Sequence, residues 1–154
     1  MAQCANDLIR GAPHWYHVGH PAHGVLSTMT LSANPKPHIV EVDLDGFPSR
    51  VIDASHRHPV LVDFWADWCA PCHALSPHLE RVIGELDGQV LLAKVEVDEG
   101  ENMRLAGHYR LRGFPTVILF QGGEERGRFS GARSSHQIHD WLREHLAGGP
   151  IEQT

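Results

Sequence analysis

The chain has 154 residues, of which 42% are hydrophobic, and a formal net charge of −6 at pH 7 with histidine neutral. This length accommodates one domain with an appendage and excludes two full domains. The negative charge excludes general binding to nucleic acid or to an anionic membrane surface, because both require a basic excess.

Cysteine usage and the N-terminal residues indicate the compartment. Three cysteines, two of them in one motif, cannot form a structural disulfide framework, so a reducing compartment is expected. Leu8 and Ile9 are followed at once by Arg10, which is unlike the apolar segment of a secretory signal. No stretch is long enough to span a membrane. These features predict a cytoplasmic protein without membrane association.

Residues 1 to 37 differ from the rest, since prolines and glycines interrupt any helix there. We interpret them as a flexible extension. Four histidines recur in it at a strict spacing of three: His14, His17, His20 and His23. With Cys4 upstream, a transition-metal site is one interpretation, because imidazole suits zinc, copper and nickel. The intervening glycines and prolines prevent the helix that would align the rings, so we predict a polar tail and no metal site.

Regular patterns begin with the apolar residues Ile39, Val40 and Val42, which predict a first strand. Asp45 and Pro48 then predict the cap and first turn of a short helix. The nearly continuous apolar run from 60 to 65 predicts a strand buried on both faces. Asp63 lies inside this run, where loss of hydration should raise its pKa. The alternative, a carboxylate facing solvent at a strand end, is disfavoured by the apolar neighbours on both sides.

Cys69 and Cys72 follow this strand at the start of a helical pattern. A helix N-terminus stabilises a thiolate, so Cys69 is the predicted nucleophile. Cys72 lies one turn further on the same side and within disulfide reach, but deeper, so it is predicted to resolve a mixed disulfide. Pro71 fits the first helical turn, where a missing N–H costs no hydrogen bond.

The rest of the chain continues an alternation of strands and helices. The helix after Cys69 presents an apolar stripe as far as Leu86 and is interrupted by Pro77. A strand over 90 to 97 follows, and then a polar helix-and-loop connection. Two antiparallel strands meet at a Gly-Gly turn, and the last helix begins with a capping box formed by Ser134 and Gln137. This order predicts an α/β fold with helices on both faces of a mixed sheet.

Residues 60 to 77, with the pattern Asp-Phe-Trp-Ala-x-Trp-Cys-x-Pro-Cys, closely resemble the active-site segment of the thioredoxins. The match continues through Lys94, Asp98, Gly113-Phe114-Pro115-Thr116 and Gly131. It covers roughly 38 to 147, a length normal for one small domain, and leaves 148 to 154 as a C-terminal tail. Two positions depart from the common pattern: Ala70 replaces a glycine and His73 replaces a lysine. Both positions can shift the redox potential, and neither removes a reacting group.

The resemblance implies the thioredoxin fold and a dithiol–disulfide oxidoreductase that reduces target proteins by attack of Cys69 and resolution by Cys72. It implies Asp63 as the proton acceptor for Cys72 and Lys94 as the residue that modulates the titration of Asp63. A cis Pro115 is expected to face Cys69. The implied substrate-binding rim consists of Trp68, Ala70, Pro71, Phe114, Pro115, Gly131 and Ala132.

The resemblance also implies the partners. No bound cofactor is expected, because the electrons would come from NADPH through a thioredoxin reductase. The expected partners are that reductase and disulfide-containing target proteins, and the expected state is a monomer.

Two alternatives compete with this interpretation. Residues 69 to 73 satisfy Cys-x-x-Cys-His, the attachment motif for c-type haem, with His73 as the proximal ligand. Haem attachment follows export, and a buried strand leads into the motif here, so we interpret His73 as an exposed residue of the first helical turn. The second alternative is a chaperone-associated or scaffold protein that recruits a partner or a metal through residues 1 to 37. The presence of both cysteines disfavours it.

Overall fold

The structure is a computed structural model and describes residues 36 to 146. The predictions for residues 1 to 35, including the histidine series, and for the tail from 148 lie outside the described residues. Within them, the alternation of strands and helices agrees with the predicted order. Five strands form one sheet: β1 (Ile39–Glu41), β2 (Val60–Trp65), β3 (Leu91–Glu96), β4 (Thr116–Gln121) and β5 (Glu124–Ser130).

The sheet is mixed, with the strand order β1-β3-β2-β4-β5. Strands β1 and β2 both pair with β3 in parallel. Strand β4 pairs with β2 and with β5 in antiparallel orientation. Strand β2 is therefore central and buried on both faces, as its apolar sequence predicts. The active-site motif follows directly from its carboxyl end.

Three α-helices accompany the sheet: α1 (Ala70–Leu86), α2 (Met103–His108) and α3 (Ser135–His145). On one face, α1 and α3 bury an apolar stripe that includes Leu79, Ile83 and Ile138. The opposite face is covered by an aromatic cluster in which Phe47 contacts the rings of Tyr109 and Phe120. Helices therefore lie on both faces of the sheet, which confirms the predicted fold class.

Two local expectations need correction. The short helix after β1 is a π-helical turn (Pro48–Asp53), and Asp45 does not cap it. Instead, the buried Phe47 occupies the N-cap position without a side-chain cap, and the carboxylate of Asp43 accepts a hydrogen bond from the backbone N–H of Gly46 in the preceding turn. Helix α1 is also continuous through Pro77, because a proline there removes only one backbone hydrogen bond.

The C-terminal helix confirms its predicted start. Ser134 accepts a hydrogen bond from the backbone N–H of Gln137, and the side chain of Gln137 accepts one from the backbone N–H of Ser134. No helix within residues 36 to 146 has the length and apolar character needed to cross a membrane.

Candidate active site

Cys69 and Cys72 form a disulfide at the N-terminus of α1, with their Cα atoms 5.3 Å apart. Cys69 is the N-cap residue and has an extended backbone, and its Sγ accepts a hydrogen bond from the backbone N–H of Cys72 at 3.3 Å. An N–H group and the positive end of the helix dipole thus point at this sulfur. Both stabilise a negative charge on it, so the geometry favours a thiolate at Cys69.

The two cysteines differ little in exposure. Cys69 is 3% exposed and Cys72 is 2% exposed, so the predicted greater openness of Cys69 is almost absent in the disulfide form. Because the N-cap residue Cys69 has an extended backbone, its side chain lies over the first turn of α1, which contains Pro71. The difference that the structure does show is electrostatic, since the Cys69 sulfur is the one that accepts the helix N–H.

Asp63 is buried in β2, as expected, with 1% of its surface exposed. Its Oδ1 accepts no hydrogen bond from the described residues. Burial raises its pKa to about 7; the charge of Lys94 acts against this rise, and the negative charges of Glu41 and Glu80 add to it. A carboxyl group with this pKa exchanges a proton readily at neutral pH, as a general acid or base requires.

Lys94 lies beside Asp63 in the parallel register of β2 and β3. Its ammonium group, however, donates a hydrogen bond to Ser76 Oγ at 3.2 Å and lies 3.6 Å from Glu80 Oε1. It also lies 5.2 Å from the centre of the Trp65 ring. Lys94 therefore acts on Asp63 through its charge, while its hydrogen bond goes to α1.

The predicted rim residues come from three segments of the chain. The Trp68 ring is 68% exposed and meets the ring of Phe114 edge-on, with 6.1 Å between the ring centres. The Phe114–Pro115 peptide bond is cis. The backbone N–H of Gly131 donates a hydrogen bond to the carbonyl of Pro115 at 3.0 Å. The rings of Trp68 and Phe114 thus lie next to each other, and the loop at Gly131 is bonded to the neighbouring Pro115.

The remaining rim positions, Ala70, Pro71 and Ala132, are exposed. Gly131 has a φ of +83°, and a Cβ atom added there would meet no atom within 4 Å. This open space next to Pro115 permits close approach of another backbone.

Three residues around the site had no assigned role in the sequence analysis. Asp98 accepts a hydrogen bond from Trp68 Nε1 at 2.5 Å. Ser76 and Glu80 lie one turn apart on α1 and bind Lys94. The i,i+4 spacing of a hydroxyl and a carboxylate on one helix is the signal that identifies this pair in the sequence.

His73 is exposed in the first turn of α1, and its Nε2 donates to the backbone carbonyl of Asp67 at 2.6 Å. This contact differs from the haem interpretation, in which that nitrogen would be directed at iron. Within residues 36 to 146, no group of three or more histidine, cysteine or acidic side chains is arranged to hold a metal ion.

A mixed sheet, a Cys-x-x-Cys disulfide at the start of a helix and a cis proline on the adjacent loop define a dithiol–disulfide oxidoreductase of the thioredoxin fold. The family model described as "Thioredoxin" matches residues 38 to 144. The chain belongs to the thioredoxin family.

Curated relatives agree with this assignment. A protein named "Thioredoxin" from Rickettsia conorii is 38% identical over 105 residues, which are 64% of this chain and 98% of that protein. "Probable thioredoxin-2" from Caenorhabditis elegans is 40% identical over 110 residues, covering 71% of this chain and 73% of the relative. A "Thioredoxin" from Chlorobaculum thiosulfatiphilum is 36% identical over 100 residues, 65% of this chain and 89% of that protein. The dithiol–disulfide activity is favoured over the scaffold alternative.

Proposed function

We propose that the protein reduces disulfide bonds in other proteins, with Cys69 as the nucleophile and Cys72 as the resolving residue. The observation that carries the proposal is the hydrogen bond from the N-terminus of α1 to Cys69 Sγ, because it stabilises the attacking thiolate. The Cys69 thiolate attacks one sulfur of the target disulfide and displaces the other sulfur as a thiolate. A mixed disulfide between Cys69 and the target results.

Resolution requires a thiolate at Cys72. We assign Asp63 as the base, because a carboxyl group with a pKa of about 7 can accept the thiol proton at neutral pH. The Cys72 thiolate then attacks Cys69 Sγ and releases the second sulfur of the target. Two electrons pass to the target, and the Cys69–Cys72 disulfide remains. Lys94 modulates the proton affinity of Asp63 through its positive charge.

The substrate lies against the rim of Trp68, Ala70, Pro71, Phe114, Pro115, Gly131 and Ala132. Trp68 and Phe114 supply exposed or half-buried apolar surface beside the disulfide. An extended target segment can pair with main chain next to Pro115, and the missing side chain at Gly131 gives it room. The chemistry selects an accessible disulfide in an extended segment and requires no fixed side-chain sequence around it.

For the cellular setting, we propose a cytoplasmic monomer that contributes to redox homeostasis and receives electrons from NADPH through a thioredoxin reductase, with no bound cofactor. The low number of cysteines supports a reducing compartment. We further propose that residues 38 to 147 form the catalytic domain and residues 1 to 37 a separate extension. The family match over 38 to 144 supports this division.

The test is reduction of insulin disulfides by the full chain, coupled to NADPH oxidation with a thioredoxin reductase. We expect turnover in the wild type, none in Cys69→Ser, and a trapped mixed disulfide in Cys72→Ser. Cys4→Ser is the matched control, because it removes the third thiol and should leave turnover intact. A mixed disulfide trapped by Cys69→Ser instead of Cys72→Ser would reverse the assigned roles.

A further inference from the structure

Lys94 stands between two carboxylates. Asp63 on β2 and Glu41 on β1 are both its register partners, and register partners project to the same face of a sheet. Leu61, two residues before Asp63, packs in the core together with residues of α1, so this face is the α1 face. Strand register alone therefore favours an ion pair between Lys94 and one of these two carboxylates, of which Asp63 is buried and Glu41 is exposed. Within residues 36 to 146, the ion pair that Lys94 forms is with Glu80.

The contacts of Glu80 explain this choice. Ser76 Oγ donates to Glu80 Oε1 at 3.3 Å and accepts from the Lys94 ammonium group at 3.2 Å. The second carboxylate oxygen, Oε2, binds the ammonium group of Lys36. Ser76, Glu80 and Lys94 thus contact one another pairwise. Lys36 binds Glu80 through the other carboxylate oxygen.

Glu80 is charged at neutral pH. Burial alone would raise its pKa, but the hydrogen bond and charge of Lys36, followed by the charge of Lys94, outweigh burial and lower the pKa. The Glu80 side chain retains 22% of its exposure and the Lys94 side chain 14%, so solvent screens this pair only partly.

We propose that Ser76 and Glu80 are positioning residues of the redox site: they hold the Lys94 ammonium group on α1 and thereby withhold it from Asp63, the proton acceptor for Cys72. This inference deepens the proposed function and rests on the role of Asp63 in proton exchange with Cys72. A lysine released from α1 would lie beside its register partners Asp63 and Glu41, and a cation next to Asp63 favours the ionised form of that carboxylate. Asp63 would then bind the Cys72 proton less readily.

The charged residues that act on Asp63 come from three elements packed around it. Lys94 lies on β3, Glu41 on β1 and Glu80 on α1. The β4 side presents the apolar Val117 opposite Asp63. Glu80 therefore favours the protonated form in two ways, by its own negative charge and by holding Lys94. Both effects raise the pKa of Asp63, so an experiment has to separate them.

The first measurement is the titration of Asp63 in the full-length oxidised protein, followed by carbon NMR of labelled aspartate, because the disulfide prevents cysteine titration. Glu80→Gln is expected to lower the Asp63 midpoint by about one pH unit, as a cation at 4 to 6 Å does. Ser76→Ala is the second variant and should shift the midpoint in the same direction. Glu85→Gln is the matched control, since it removes one exposed carboxylate from the same helix and should leave the midpoint unchanged.

The second measurement repeats Glu80→Gln in a Lys94→Met background. If Glu80 acts by holding Lys94, the shift there shrinks to the part caused by its own charge. An equal shift in both backgrounds would overturn the positioning role, and so would an unchanged midpoint in the Glu80→Gln and Ser76→Ala proteins. Failure of the base role itself is distinguishable, because Asp63→Asn would then reduce insulin at the wild-type rate while the midpoints still respond to Glu80→Gln.

Discussion

The indole Nε1 of Trp68 donates a hydrogen bond to the carboxylate of Asp98, with 2.5 Å between nitrogen and oxygen. Trp68 follows β2 and Asp98 follows β3, and these strands are parallel, so their carboxyl ends meet at one edge of the sheet. The indole is otherwise exposed apart from its contact with Phe114. Asp98 therefore restricts the orientation of an aromatic surface beside the disulfide.

Asp98→Ala should weaken the binding of protein substrates. A hydrogen bond to a partly exposed side chain contributes about 1 kcal/mol, so we expect the KM for insulin to rise about fivefold. The rate with a small aromatic disulfide, which needs less of the rim, should change little. Asp98→Asn is the matched control, because its amide oxygen still accepts from the indole. Equal KM values for all three proteins would show that Trp68 needs no anchor.

The pKa of Asp63 predicts how stability depends on pH. The folded-state pKa of about 7 lies above the ordinary value of 3.8 for an aspartate, so the folded protein binds the proton more tightly than the unfolded chain does. The protonated carboxyl stabilises the fold fully below about pH 4, and this advantage is lost as the pH rises to 7. The difference between the pKa of about 7 and the ordinary value of 3.8 corresponds to about 4 kcal/mol.

Urea unfolding of the oxidised protein at about pH 5 and about pH 8 measures this effect. The wild type should be less stable at the higher pH, and Asp63→Asn should be more stable than the wild type there. The difference between the two proteins isolates Asp63 from the histidines, which titrate in both. A constant difference between the two proteins at both pH values would contradict a raised pKa for Asp63.

Much of the fold follows from local patterns in the sequence. The apolar run of β2 predicts a central strand, and the same run predicts that Asp63 is buried. Both predictions depend on residues adjacent in the chain, where hydrophobic periodicity is informative. The capping box of Ser134 is equally local, and it is confirmed.

The sequence could not predict which of several possible partners a polar side chain binds in the folded protein. Strand register places Asp63 beside Lys94, but the Lys94 ammonium group binds Glu80 and Ser76 on α1. These contacts follow from how the helix packs on the sheet. Likewise, no local pattern predicts that the buried Phe47 occupies the N-cap position of the short helix and that Asp43, not Asp45, binds the backbone N–H of Gly46 before it.

The capping box at α3 should be important for stability. Ser134→Ala removes the acceptor for the Gln137 N–H and should lower the free energy of unfolding by about 1 kcal/mol. Because α3 packs on α1 through Ile138, the loss should appear in the global unfolding transition measured with urea. Glu144→Ala, an exposed change near the end of the same helix, is the control and should have little effect. Matching losses in the two variants would contradict the importance of the cap.

Gly127 on β5 lies against two side chains of α3. A Cβ atom at this position would clash with Cδ2 of His145 and would lie 3.2 Å from Cζ2 of Trp141. The His145 ring is stacked on the Trp141 ring, with 4.4 Å between the ring centres, so it cannot move without losing that contact. Gly127→Ala should therefore cost about 1 to 3 kcal/mol, as overpacking usually does.

His145→Ala provides the control for this prediction, because it removes the ring that an added methyl group would strike. In the His145→Ala background, the further change Gly127→Ala should cost less than it does in the wild type, and urea unfolding of the four proteins measures the coupling. The β5 backbone conformation at Gly127 does not require a glycine, since its φ lies outside the left-handed region. If both backgrounds lose the same stability, the cost lies in the strand itself, and contact with His145 does not explain the glycine.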